Sequence, residues 1–276
     1  VTAFICAACG TEFPASTDPP AECPICTEER QFVPAAGQRW TTLEDLAADH
    51  ANAFRQHEPG VVSVTTTPAF GIGERALLVL TEHGNLLWDC VALLDDATIT
   101  LIQALGGLAA IAISHPHFYT TMNRWAEAFE APVYLHAADR RWVMASGDRL
   151  VFCKEDRREI LPGMNLIHCG GHFAGGTVLH WRSGAEGRGV LFSGDILQVL
   201  PDRRHVSFMR SYPNLMPLSA AAVERIVAPL ASFRFQRIYG AFAEREILSD
   251  ADEAVRRSAD RYVRAVSGHG PADAER

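Results

Sequence analysis

Apolar and polar positions sort most of the chain into short elements. V-V-S-V-T-T-T-P, R-A-L-L-V-L-T and N-L-L-W-D-C are β-branched or apolar runs separated by Gly and Pro, and they predict three consecutive strands. A-T-I-T-L-I-Q-A-L-G-G predicts a helix ended by glycine, and L-A-A-I-A-I-S a buried strand. T-T-M-N-R-W-A-E-A-F places Met122, Trp125, Ala126 and Phe129 at helical spacing. A-P-V-Y-L-H-A then predicts a strand and D-R-R-W-V-M-A a helical turn.

The second half repeats the style. L-P-G-M-N-L-I-H-C, G-T-V-L-H-W and G-V-L-F-S-G-D predict strands, and S-A-A-A-V-E-R-I-V-A-P-L-A-S-F a helix. R-F-Q-R-I-Y-G-A-F predicts a strand and D-A-D-E-A-V-R-R-S-A-D-R-Y-V-R-A-V a final amphipathic helix. Two mixed sheets packed face to face, with helices outside, satisfy this order. The expected fold class is α/β, a four-layer αββα sandwich over residues 60–276. Before it, T-T-L-E-D-L-A-A-D-H-A-N-A-F has Thr41 or Thr42 as N-cap with an acid three residues on. Leu43, Leu46, Ala47 and Phe54 fall roughly on one face, which predicts a linker helix within 39–59.

Composition narrows the class. The 276 residues are 48% hydrophobic, enough for a packed core, and no apolar run approaches the ~20 residues of a membrane span. V-T-A-F-I-C-A-A-C-G lacks a basic head and a long apolar stretch, so the expectation is a soluble, cytoplasmic protein without a secretory signal and without a membrane partner. With 25 basic against 33 acidic residues the net charge is −8, which disfavours nucleic acid as a partner. A homo-oligomer is compatible with everything in the sequence.

Residues 1–38 carry two C-x-x-C pairs, Cys6 with Cys9 and Cys23 with Cys26. Each pair makes a knuckle whose two thiolates can face one ion, and two knuckles supply a tetrahedral four-thiolate site. A segment this short cannot bury a core of its own, so a metal would stabilise it by roughly 10 kcal/mol or more. C-x-x-C-G and C-P-x-C resemble a zinc ribbon or a truncated rubredoxin. The first resemblance implies structural zinc, the second iron and electron transfer. Cys90, Cys153 and Cys169 stand outside these pairs; Cys90 and Cys169 read as buried inert thiols or soft ligands.

The histidines carry the rest of the chemistry. His115 and His117 flank Pro116 just past a buried strand, and in extended chain they project to one side. H-C-G-G-H-F-A-G-G supplies His168 and His172 in a glycine-rich loop, and L-F-S-G-D-I-L puts Asp195 at the end of another buried strand. Asp89 in L-L-W-D-C is placed likewise; an acid there is costly unless paired or coordinated. His136 and His180 lie in strands and read as ordinary. His269, in S-G-H-G-P, follows a helix and reads as solvated tail.

The order H-x-H, G-G-H, S-G-D, each after a strand, resembles the metallo-β-lactamase superfamily over about residues 60–266. I-H-C-G-G-H-F-A-G-G-T-V-L is most similar to its glyoxalase II branch, whose members hydrolyse thioesters. The resemblance implies a metal held by His115, His117 and His172, with Asp195 as fourth ligand or just outside. Asp89 matches the family's early strand-end aspartate and is expected to orient a ligand, and His168 to support the site from behind. The family continues H-x-H as H-x-H-x-D-H, but Tyr119 and Thr120 stand at those last two positions. Its final histidine is expected near Y-G-A-F-A-E-R-E, where Ala241 and Phe242 stand. The resemblance therefore implies a degenerate second metal position and a single ion in the cleft.

Three imidazoles and an open position are a catalytic zinc arrangement, in which water ionises near pH 7. The expected function is hydrolysis of an ester, thioester, lactone or amide bond in a small-molecule substrate, anionic ones included. Asp195 would orient or deprotonate the water, and Tyr119 would donate a hydrogen bond to developing charge. Phe208, Met209, Arg210 and Tyr212, with Glu244 and Arg245, are the candidates for substrate binding; Arg203 and Arg204 could meet an anion. The expected cofactor is zinc, about two ions per chain, with iron possible in either site. Two other readings stand beside this one: a non-catalytic binding protein on the same fold, and a rubredoxin-like electron-transfer protein.

Overall fold

The strand-forming runs of the first half build a seven-stranded sheet. Its strands are β1 (Ala51–Glu58), β2 (Val61–Thr67), β3 (Arg75–Val79), β4 (Leu86–Trp88), β5 (Ala110–Ala112), β6 (Val133–His136) and β7 (Leu150–Cys153). They lie in chain order, antiparallel from β1 to β4 and parallel from β4 to β7. Hairpins suffice while the strands are antiparallel, whereas parallel neighbours require crossovers. These contain α2 (Asp96–Ala104) and α3 (Met122–Ala128), following α1 (Leu43–Asp49) ahead of the sheet. The computed structural model describes residues 1–268 in two compact units, Val1–Lys154 and Glu155 onward. His269 lies outside the described residues.

The linker helix is shorter than its apolar pattern suggests. Thr42 caps α1 by accepting from Asp45 N–H at 3.1 Å, and the helix stops at Asp49. Ala51–Glu58 is a strand paired with β2, with Phe54 opposite Val64. Asn52 draws the chain out of the helix: its Nδ2 donates to the Leu93 carbonyl at 2.9 Å and to Thr98 Oγ1 at 3.0 Å. Those tertiary partners outweigh a weak local helical preference.

In the second unit, β8 (Arg157–Leu161), β9 (Met164–His168), β10 (Thr177–Trp181), β11 (Val190–Gly194), β12 (Arg237–Gly240) and β13 (Glu246–Ile247) form a six-stranded sheet in that order. β11 and β12 are parallel and the other pairs antiparallel. Helices α4 (Ala220–Val227) and α5 (Ala251–Val266) cover one face, where Val178, Leu191 and Ile238 of the sheet pack with Val223, Ile226 and Val255. Strands Gln198–Val199 and Val206–Ser207, then Met209–Ser211 and Met216–Pro217, pair as short hairpins between β11 and α4. Among the described residues, no helix is long and apolar enough to cross a membrane.

Candidate metal centres

Backbone turns close the cysteine knuckles. Gly10 N–H donates to the Cys6 carbonyl at 2.8 Å and Cys26 N–H to the Cys23 carbonyl at 3.0 Å. Pro24 opens the helical turn Pro24–Thr27, which brings Cys26 back beside Cys23. The four sulfurs are buried, with Cys6 Sγ 3.7 Å from Cys26 Sγ and Cys9 Sγ 3.8 Å from Cys23 Sγ. A tetrahedral ion with metal–sulfur bonds of about 2.3 Å places its sulfurs ~3.8 Å apart, so the set fits zinc or iron of that coordination. Gln38 Nε2 donates to Cys6 Sγ at 3.1 Å, a bond that favours the thiolate. Hydrogen bonding with Cys23 and Cys26 holds the Cys6 thiol far below its ordinary range and, joined by burial, Cys9 well above it. Four thiolates do not coexist at this spacing without a cation.

The knuckle is packed into its unit. Gly10, at φ +78°, approaches so closely that a Cβ there would lie 3.0 Å from Ala92 Cβ and 3.3 Å from Thr120 Cγ2. The Thr120 carbonyl accepts from Glu12 N–H at 3.0 Å. Glu74 is sealed beneath, and burial pushes its carboxyl up to about 8.

His115 and His117 stand just past β5 in the same unit, both buried. His115 is extended, but Pro116–Phe118 is a single 3₁₀ turn. The rings therefore meet through a tight turn and not by the two-residue repeat of a strand, with centroids 5.0 Å apart and planes at 73°. Phe118 packs edge-on against His115 at 4.6 Å. Ser114, which sequence reasoning missed, links Asp89 to His115: its N–H donates to Asp89 Oδ1 at 2.7 Å, and its Oγ lies 2.9 Å from His115 Nδ1. Asp89 reaches this position at φ +59°, and burial pushes its carboxyl up to about 7. Tyr119, two residues beyond His117, is buried, and desolvation holds its phenol well above the ordinary value, so its O–H is retained at neutral pH.

In the second unit, His172 is carried by the loop between β9 and β10. Gly171 precedes it at φ +84°, where a side chain would collide with Ile226. His168 braces the loop by bonding the Ala174 carbonyl through Nε2 at 2.8 Å. His172 Nδ1 donates to the Met209 carbonyl at 3.1 Å, which makes Nε2 the nitrogen that could hold a metal. Nε2 faces Asp195 Oδ1 at 3.9 Å, beyond hydrogen-bonding distance and compatible with two donors on one ion. Asp195 follows Gly194, whose φ of +54° and the β11–β12 register shift turn the chain out of the sheet.

Several expected roles change. Phe208 is fully buried in the core and packs edge-on against Tyr262 at 5.7 Å, so it cannot wall a cleft. Tyr212 donates to the Asp195 carbonyl at 2.9 Å and its ring lies 5.6 Å from His172; it holds the Asp195 segment in place. Met209 acts through its backbone carbonyl on His172. A helical or strand period reports which face a side chain takes, and neither hydrogen bond leaves a sequence signal. Arg210 and Arg245 are half-buried, and Glu244 is exposed at φ +61° and pairs with Arg203 at 3.6 Å. Arg204 is exposed. Cys90 and Cys169 are buried thiols that desolvation pushes up, Cys169 to about 12, so both stay protonated at neutral pH.

No protein-family model matches the chain. It is 46% identical over 266 residues to the uncharacterized protein YmaE of Bacillus subtilis (strain 168), covering 96% of this chain and 97% of that one. Among solved structures it is similar to DIM-1 metallo-β-lactamase (TM-score 0.56, 12% identity, 76% of this chain and 97% of that one). It is also similar to a metallo-β-lactamase from Cronobacter sakazakii (TM-score 0.51, 18% identity, 78% and 97%). A B3 metallo-β-lactamase with an active-site glutamic acid is a third (TM-score 0.52, 15% identity, 80% and 90%). These likenesses establish the fold, an α/β metallo-β-lactamase fold with a four-cysteine cluster at its N-terminal end.

Proposed function

The chain belongs to the family of Bacillus subtilis YmaE, and from that premise we propose that it is a metal-dependent hydrolase with a single metal in its catalytic cleft. His115, His117, His172 and Asp195 form the proposed ligand set, three nitrogens and an oxygen of the kind that holds such an ion. The observation that carries the reading is the fixing of His172, with Nδ1 committed to the Met209 carbonyl and Nε2 turned to Asp195. Ser114 steers His115 in the same sense. Supporting partners of this kind are what a metal-binding imidazole requires.

When bound, the metal supplies Lewis acidity, which lowers the pKa of a water and polarises a carbonyl. Asp195, as fourth ligand or just outside the three imidazoles, would orient that water and accept its proton on its carboxylate. Tyr119, kept as a neutral phenol by burial, donates to the developing charge or to the leaving group. Tyr119 and Thr120 occupy the positions where a second ion's ligands would be expected, which favours one ion over two. The G-G-H loop favours a glyoxalase II-like thioester among the acyl substrates. The four-thiolate knuckle holds a second, structural zinc. Its thiols must stay reduced, which suits the cytoplasm.

Elemental analysis with a thioester, ester, lactone and amide panel tests this. The expected result is about two ions per chain and turnover of one acyl class, with His172→Ala losing one ion and the turnover. Retention of both ions and full turnover by His172→Ala would overturn the assignment.

A further inference from the structure

We infer that the second unit holds a binding cleft for a small phosphoryl-bearing ligand, built on Arg157, Arg182 and the buried His180. This cleft is separate from the proposed metal ligands. His180 and Arg182 stand at and just beyond the end of β10, whereas the loop bearing His172 enters β10 at Thr177. At ~3.3 Å per residue the two ends of this strand are more than 10 Å apart.

The cleft is open to solvent and has a volume of about 820 Å³, within the range of small-molecule sites. Arg157 comes from β8; its Nε donates to Asn165 Oδ1 at 2.7 Å and its guanidinium lies 5.0 Å from the Phe233 ring. Those contacts hold the group in place without neutralising it. Neither Arg157 nor Arg182 has a carboxylate partner among the described residues. The other arginines of the cleft are committed: Arg188 pairs with Glu186, and Asp252 takes Arg234 at 3.1 Å and Arg256 at 3.8 Å.

His180 is the second, independent observation. It is 5% exposed, its Nε2 donates to the Arg234 carbonyl at 2.9 Å, and its ring lies 4.8 Å from Phe233. Its Nδ1 is buried without a hydrogen-bond partner among the described residues. Burial first, and then the charges of Arg157 and Arg182, hold this imidazole below its ordinary value. The two guanidiniums thus set their positive charge against this ring, and an anion between them would offset it.

The geometry selects the ligand chemistry. Arg157 of β8 and Arg182 just past β10 both line the cleft, and a pair of guanidiniums suits the oxygens of a tetrahedral phosphoryl group, whereas one fork uses up a planar carboxylate. Asp250 and Glu253 line the cleft beside α5 and repel a second anionic end. The ligand therefore places its phosphoryl group on the β8–β10 side and a neutral or cationic part towards α5.

Titration of inorganic phosphate into the full chain at constant ionic strength, followed through the His180 ring signals by NMR, tests the inference. Saturable binding of one phosphate per chain is expected, with a shifted His180 signal. Arg182→Gln, whose guanidinium has no hydrogen-bond or ion-pair partner among the described residues, should weaken binding at least threefold, and Arg157→Gln/Arg182→Gln at least tenfold, with Arg182→Gln melting like the wild type. His172→Ala should bind phosphate as the wild type does, which separates this cleft from the metal reading. Acetate bound as tightly as phosphate, a silent His180, unchanged affinity in the double variant, or loss in His172→Ala would each overturn it. So would a single-stranded oligonucleotide that binds more tightly than phosphate through the same arginines.

Discussion

Ser114 Oγ lies 2.9 Å from His115 Nδ1, while Ser114 N–H is held by Asp89 Oδ1 at 2.7 Å. The strand-end aspartate therefore acts on the imidazole through an intervening serine. Ser114→Ala keeps the backbone bond and removes the one that orients the ring. The expected effect is a loss of roughly 10- to 100-fold in cleft-metal affinity, measured by competition with a chelator, with the knuckle ion retained.

Tyr212 makes a similar contribution to Asp195. Its O–H donates to the Asp195 carbonyl at 2.9 Å and to that of Ser207 at 3.1 Å. Tyr212→Phe keeps the ring beside His172 and strips both carbonyls of a donor. Denaturant unfolding should register a loss of about 1–3 kcal/mol, and the metal affinity of the cleft should fall with it.

Cys23→Ser removes one corner of the four-sulfur set, in which Cys23 Sγ lies 3.8 Å from Cys9 Sγ. The variant should lose the knuckle ion and bind metal only in the cleft. Because Gly10 packs against Ala92 and Thr120, unfolding of the knuckle should also loosen those segments. Amide exchange faster than in the wild type at residues 90–94 and 118–122 is the expected signature; unchanged protection there would refute the coupling.

Burial raises Glu74 from 4.5 to about 8. Its contribution to stability is fully present below the unfolded value of 4.5 and is lost as pH rises through about 8, because the folded state keeps a proton that the unfolded state gives up. Across that window the loss is on the order of a few kcal/mol. Glu74→Gln should flatten the decline, read as unfolding free energy against pH; a variant with the wild-type slope would place the titration elsewhere.

The order and type of the main elements follow from side-chain patterning, because a strand or helix buried on one face must repeat its apolar positions at the backbone's own period. The knuckle is equally legible: two C-x-x-C pairs name their chemistry through residue type and spacing, and their sulfurs meet as that spacing requires. H-x-H, G-G-H and S-G-D imply a ligand set through their resemblance to the metallo-β-lactamase superfamily.

Tertiary structure alone decided how those donors are held. Pro116–Phe118 turned out to be a 3₁₀ turn where an extended segment is the local expectation. Residues 51–58 left a helical pattern for a strand because Asn52 found partners at Leu93 and Thr98. Phe208 went to the core, the Met209 carbonyl set the His172 tautomer, and His180, ordinary by sequence, became the buried ring of an arginine-lined cleft. Each outcome depends on a backbone group or a cation brought from far along the chain. Periodicity records which way a side chain faces; it carries no record of the distant partner that fixes its orientation or its charge.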